Sequence, residues 1–138
     1  MKITLENLHT FLFDLQLGDR IFLIGNLGAG KTTFSQALIR HFLQDESRRV
    51  TSPTYTYYQK YPQNLYHFDL YRIENTDDIV RIGAEDIFDT PESICIIEWP
   101  EILGDSVTPT KIIKLIETEE WREISITDCQ VGDIDKNI

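Results

Sequence analysis

Cysteine is scarce in this sequence: there are two in 138 residues, Cys95 inside an apolar run and Cys129 near the end. Placed so far apart they read as two unrelated reduced thiols, which argues against a disulfide framework. No C-x-x-C string is present and His9, His41 and His67 are scattered, so a zinc site is not expected either. Basic residues are the second shortage. Thirteen Lys and Arg stand against 23 Asp and Glu, a net charge of −10, and such a balance argues against a surface that docks nucleic acid on its own. Long apolar runs are missing too. None approaches the roughly 20 residues of a membrane-spanning helix, and Met1-Lys2-Ile3-Thr4 leads into an amphipathic segment rather than a signal peptide. The expectation is a cytoplasmic protein with no membrane attachment.

What remains is an ordinary globular composition, 41% hydrophobic and 26% charged. A chain of this length is one domain's worth and can bury about two thirds of its unfolded surface in one core. We expect a single domain over residues 1–127 and a frayed tail over residues 128–138, where no apolar period survives.

The stretch Gly25-Asn26-Leu27-Gly28-Ala29-Gly30-Lys31-Thr32 fits the phosphate-loop pattern G-x-x-x-x-G-K-[ST]. Glycines let the backbone curl tightly and turn successive N–H groups toward phosphate oxygens. Lys31 would add a full positive charge near the β- and γ-phosphates, and the Thr32 hydroxyl is placed to ligate Mg²⁺. The flanks agree. Ile21-Phe22-Leu23-Ile24 is an uninterrupted apolar run, as in a parallel strand covered on both faces. Phe34, Ala37, Leu38 and Phe42 recur at helical spacing, so a helix opening near Lys31 can pack on the sheet and point its positive dipole end at the phosphates.

The remaining segments fill out an α/β pattern. Thr4 can cap a helix through Leu5, Leu8, Phe11, Leu12 and Leu15, with Gly18-Asp19 turning the chain into the first central strand. Gln44 to Arg49 is a polar connection. Val50 to Tyr58 is β-branched and aromatic, with Pro53 limiting it to an edge or extended entry. Its hydroxyls suit either a switch sensing the γ-phosphate or an edge strand facing water. Asn64 to Arg72 reads as a strand with Tyr66, Phe68 and Leu70 on one side and His67, Asp69 and Tyr71 on the other. An Asp and a His on one strand face must be paired or hydrated, so this face is either a site or a structural His67–Asp69 contact.

A helix capped near Asn75 or Thr76, acidic at Asp77 and Asp78, stops at Gly83. Ile94 to Ile97 reads as a second buried parallel strand, closed by Glu98. An acid there either sits near Mg²⁺, as in phosphate-loop folds, or is a chance polar ending. Lys111 to Ile116 and Trp121 to Ile126 pattern as an antiparallel hairpin on the sheet edge. The fold class expected is a P-loop NTPase-like three-layer α/β fold, a central mainly parallel sheet with antiparallel edge strands and flanking helices.

Taken in order and spacing, the strings GNLGAGKTT (Gly25 to Thr33), TSPTYT (Thr51 to Thr56), HFDLYR (His67 to Arg72) and IEWP (Ile97 to Pro100) make the chain resemble the TsaE family. This is a group of small bacterial ATPases of tRNA N6-threonylcarbamoyladenosine (t6A) biosynthesis. The resemblance runs from about Thr4 to Thr127. It implies an ATPase that joins a transferase pair, TsaD and TsaB, keeps that pair turning over, and meets tRNA only indirectly through the complex. The acidic surface would then face a basic partner while other members hold the RNA.

Residue by residue, the resemblance assigns Asn26, Leu27, Gly28, Ala29, Gly30, Lys31, Thr32 and Thr33 to the phosphates, and Thr32 and Glu98 to Mg²⁺. It makes Ser52, Pro53 and Thr54 the switch and Asp69 the organiser of the attacking water or the metal's shell. Trp99 would shape the site beside Glu98, and Arg122 would reach the nucleotide. Lys31, Asp69 and Glu98 are the expected catalytic residues. Two departures stand out: Asn26 replaces the family's usual Asp, and the helix after the loop lacks the glycine common at its end.

The rival readings are a small-molecule kinase and a non-hydrolysing module that binds a partner only with ATP. Seven dispersed arginines offer no obvious kinase lid, and an Asn-Lys-x-Asp guanine-reading string is absent, so adenine is the favoured base.

Overall fold

The computed structural model describes residues 1–129 apart from 27, 54, 120 and 121. Two strands set the frame. The apolar runs become β2 (Arg20–Ile24) and β5 (Ile94–Glu98), which pair in parallel with Phe22 opposite Ile97 and Leu23 opposite Glu98. On either side lie β4 (Leu65–Asp69), parallel to β5, and β6 (Lys111–Glu117), parallel to β2. These four parallel strands are flanked by antiparallel ones. β3 (Tyr58–Tyr61) closes one edge against β4, while β7 (Arg122–Asp128) and then β1 (Lys2–Ile3) extend the other. The sheet order is β1-β7-β6-β2-β5-β4-β3, the mainly parallel centre with antiparallel flanks that the sequence leads one to expect.

Side-chain alternation divides the core between two layers. On one face Ile21, Leu23, Ile94, Ile96 and Ile113 meet Phe34, Leu38 and Ile39 of α1 (Lys31–Leu43). On the other, Phe22, Phe68, Cys95 and Ile97 meet Ile79 of α2 (Thr76–Arg81), Ala84 of α3 (Ala84–Phe88) and Leu103 of a 3₁₀ turn at Pro100–Leu103. Asn75 caps α2 by accepting the Asp78 N–H at 3.2 Å. α1 ends without glycine: Gln44 takes the left-handed conformation (φ 53°) and donates its N–H to the carbonyls of Arg40 and His41, the geometry glycine adopts at lower cost.

Several elements differ from expectation. The helix through Leu5 to Leu15 is absent. Lys2–Ile3 instead joins the sheet as β1, and only Leu8–Phe11 turns, as 3₁₀. Thr4 and Asn7 explain this locally: the Thr4 N–H donates to Asn7 Oδ1 at 2.7 Å and the Asn7 N–H to Thr4 Oγ1 at 3.2 Å. Such side-chain bonds offer the backbone an alternative to a helical turn. Leu8, Phe11 and Leu12 still pack on the core, so their spacing reports burial rather than helix.

Residues 51–53 and 55–57 are likewise not in a strand. The Pro53 carbonyl accepts the N–H groups of Thr56 and Tyr57, and Tyr57 has φ 68°, so pairing begins only at Tyr58. The β6–β7 hairpin forms, yet β1 and not β7 is the edge strand. β7 also runs one residue past the expected domain end, through Asp128, whose carboxylate pairs with Lys111. The remainder of the expected tail, residues 130–138, lies outside the described residues.

At the amino ends of the parallel strands Arg20 is 7% exposed, with no carboxylate among its hydrogen-bond partners. Its Nη1 donates to the Ser93 carbonyl at 2.6 Å, and its Nη2 to the Phe88 carbonyl at 3.0 Å, the Thr90 carbonyl at 2.9 Å and Ser93 Oγ. One guanidinium thus ties the end of α3 to the entry of β5. Arg20→Ala is expected to destabilise the fold by about 3 kcal/mol, because the buried Ser93 carbonyl and the part-buried carbonyls of Phe88 and Thr90 lose a charged donor together. A lowered urea midpoint with unchanged slope would register it, and Arg20→Lys, which lacks the planar fork, should recover only part.

Candidate active site at the carboxyl ends of the parallel strands

Parallel pairing brings the ends of β2, β4, β5 and β6 to one edge of the sheet, where ligands of open α/β folds sit. A cleft of about 490 Å³ opens there. Its walls include Asn26, Gly28, Ala29, Gly30, Lys31, Thr32, Thr33, Asp69, Glu98, Trp99 and Arg122. Of the residues expected in the site, Ser52 is not among those walls; it lies in the loop before Pro53. Leu27 and Thr54 fall outside the described residues.

The phosphate loop is shaped by close approach. A Cβ on Gly25 would stand 2.3 Å from the Leu115 carbonyl of β6, so only glycine fits. Gly30, with φ 99°, turns the chain into α1 in a conformation that side chains resist. Lys31 follows and is buried. Its Nζ donates to the carbonyls of Gly25 and Asn26, the latter at 3.0 Å, and lies 3.9 Å from the centre of the Trp99 ring. Burial pushes its pKa below the ordinary lysine value, and the negative charges of Glu98, Glu101 and Asp69 oppose that fall. A phosphate in the cleft would oppose it further, since a nearby anion favours the ammonium form.

Glu98 is fixed from two sides. The Thr32 hydroxyl donates to Glu98 Oε1 at 2.9 Å, and His67 Nε2 lies 2.5 Å from Glu98 Oε2. Alternation explains the meeting: residues 65, 67 and 69 of β4 and 94, 96 and 98 of β5 point to the α1 face, with Asp69 opposite Glu98 in register. The contact between His67 and Asp69 contemplated from sequence is replaced by one between His67 and Glu98 on the neighbouring strand. Asp69 Oδ1 accepts the Tyr71 N–H at 3.0 Å, and the Asp69 N–H donates to the Tyr57 carbonyl at 2.9 Å. The end of the 51–57 loop is thereby bonded to an acid of the cleft.

Immediately after Glu98, Trp99 adopts φ 58° and ψ 54°. A left-handed tryptophan costs about 1 kcal/mol or more, and here it turns the indole over Lys31 and against Tyr71, with ring centres 4.8 Å apart. Arg122 opens β7, which starts where β6 ends. Its Nη2 donates to the Gly28 carbonyl at 3.1 Å, and its partly exposed pair with Glu117 at 3.9 Å adds little.

Other lining residues went unforeseen. Ile3, Thr4, Leu5, Leu8 and Leu115 also line the cleft, as do Tyr71 and Arg72. The N-terminal residues arrive there because Ile3 pairs with Arg122, a register no local pattern announces. Arg72 carries a local signal, since its guanidinium lies 4.7 Å from the exposed Tyr55 ring of the neighbouring loop, and both belong to the strings quoted above.

As a metal site the arrangement is lean. Among the described residues no three or more His, Cys, Asp or Glu side chains group to hold an ion. Mg²⁺ does not require that: it is commonly held by one or two carboxylates with waters and nucleotide phosphates. A carboxylate and a hydroxyl, both hard oxygen donors 2.9 Å apart at the loop's end, fit it.

Comparison with known proteins bears on the family and the fold. The family model described as "Threonylcarbamoyl adenosine biosynthesis protein TsaE" matches residues 2–126. The TsaE protein of Rickettsia typhi is 36% identical over 105 residues, covering 74% of this chain and 71% of the relative. That of Bacillus subtilis is 32% identical over 118 residues, covering 83% and 72%. That of Haemophilus influenzae is 39% identical over 92 residues, covering 64% and 56%. The crystal structure of YdiB from Bacillus subtilis superposes with a TM-score of 0.60 at 25% identity, over 87% of this chain and 74% of that one.

Proposed function

We propose, since the chain belongs to the TsaE family and so to threonylcarbamoyladenosine biosynthesis, that it binds and hydrolyses ATP with Mg²⁺ as an accessory subunit of t6A modification. The observation that carries this reading is the Thr32–Glu98 contact, 2.9 Å, at the end of the phosphate loop beside buried Lys31. A purely phosphate-binding loop has no need of a buried acid at that point.

In this reading the backbone N–H groups of the loop and Lys31 take the β- and γ-phosphates, and Arg122 stabilises the loop from above through Gly28. The apolar wall of Ile3, Leu5 and Leu8 receives the base. Thr32 and Glu98 would hold Mg²⁺, whose positive charge would offset that of the phosphates. Asp69 orients the attacking water. Catalysis is positional and electrostatic, with no covalent intermediate: fixed positive groups meet charge that develops on the γ-phosphoryl oxygens. The 51–57 loop, bonded to Asp69 through Tyr57, transmits nucleotide state outward as the switch.

The partners are a TsaD- and TsaB-type transferase pair, and the site of action is the cytoplasm. No helix among the described residues is long and apolar enough to cross a membrane. We expect slow hydrolysis by the chain alone and faster turnover with that pair present. Equal rates with and without the pair would overturn partner activation, and a labelled acceptor formed from ATP would point to a kinase instead.

A further inference from the structure

We propose that His67 is a positioning residue for Glu98: its imidazole holds the carboxylate in the one orientation that presents Oε1 to Thr32 and the metal position. The inference rests on the ATPase reading above and assigns a task to a side chain that reading leaves unused. Three observations carry it. His67 is wholly buried, and its Nε2 lies 2.5 Å from Glu98 Oε2 while Oε1 accepts from Thr32. The two ends of the carboxylate are thus held by groups from different elements, β4 and α1. His67 Nδ1, moreover, is buried with no hydrogen-bond partner among the described residues.

A buried nitrogen left unpaired is costly. The same-face neighbours of His67 on β4 are Leu65 and Asp69, and the residues opposite it are Ile96 of β5 and Gln59 of β3. Leu65 and Ile96, both fully buried, offer the second ring nitrogen no partner. Among the described residues the imidazole hydrogen-bonds to Glu98 alone. With Nε2 as donor, the hydrogen bond fixes the carboxylate torsion, leaves Oε1 free to turn from the Thr32 hydroxyl to a cation, and excludes the rotamers that would point both oxygens away from the loop. Groups that orient a ligating side chain in this way commonly govern metal affinity as strongly as ordinary contacts do.

The test compares wild type, His67→Leu and His67→Gln by titrating a fluorescent ATP analogue in EDTA and then at increasing Mg²⁺, with a thermal melt of each protein. His67→Leu is expected to keep its metal-free affinity for the analogue within about twofold, and to need about tenfold more Mg²⁺ to reach the tight complex. His67→Gln, which restores an N–H donor, is expected to recover most of that loss at a similar melting temperature. Unchanged Mg²⁺ dependence in His67→Leu overturns the proposal. So does a loss of metal-free binding in both variants that follows their melting temperatures, since that is fold maintenance and not positioning. If wild type itself gains no affinity from Mg²⁺, the metal assignment to Thr32 and Glu98 fails, a result distinct from failure at His67.

Discussion

Lys31→Ala is expected to lower ATP turnover about a thousandfold, the upper range for removing one preorganised charged donor from a transition state. Most lysines could not have this effect, because a solvated ammonium on a flexible stem offers a charge that water already screens. Lys31 is different in three respects. It is buried, it opens α1 at the positive end of that helix, and its ammonium is held on the Gly25 and Asn26 carbonyls and the Trp99 ring. Its position is therefore set before the nucleotide arrives, and alanine removes a charge that is already aimed at the cleft. Steady-state phosphate release with saturating ATP and Mg²⁺ measures the loss. Turnover at the wild-type rate would count decisively against the assignment.

Glu98→Gln is the second large effect. The amide keeps the size of the carboxylate and can still accept from Thr32, so the loop should close and the nucleotide bind in EDTA with affinity within a few-fold of wild type. Hydrolysis is expected to fall about a hundredfold or more, because the anion that would hold Mg²⁺ is gone. Loss of hydrolysis with nucleotide binding retained distinguishes this outcome from general damage; undiminished hydrolysis would remove Glu98 from the mechanism. The two substitutions should not add. The charge of Glu98 is foremost among those that oppose the lowering of the Lys31 pKa by burial, so deleting it also weakens the ammonium, and the double variant should lose less than the product of the single losses.

Much of this site was legible because its signals are local. The glycines and Lys31 of the loop follow one another along the chain, the strands before Gly25 and Glu98 are continuous apolar runs, and α1 announces itself by spacing. Features created by pairing between distant segments were not. His67 meets Glu98 only once β4 and β5 are in register, and Arg122 reaches Gly28 only because β7 starts where β6 ends. Leu5 and Leu8 were misread as part of a helix since burial against a sheet and burial along a helix can share a spacing over so few residues. Arg20 left no mark at all, as its partners are mostly backbone carbonyls, which every residue possesses.

The pairing of β1 with β7 bears also on the order of events in synthesis. The first residue hydrogen-bonds with Ile124, 123 positions away, and Ile3 stands opposite Arg122. A nascent chain can assemble the phosphate loop, α1 and the β2–β5–β4 centre while its β7 segment is still inside the ribosome. Leu8 already packs on the core at that stage, whereas the strand that carries Ile3 has no pairing partner until β7 emerges. Growing chains would thus hold a loop without a finished pocket, and nucleotide capture would begin only when translation of the domain is all but over.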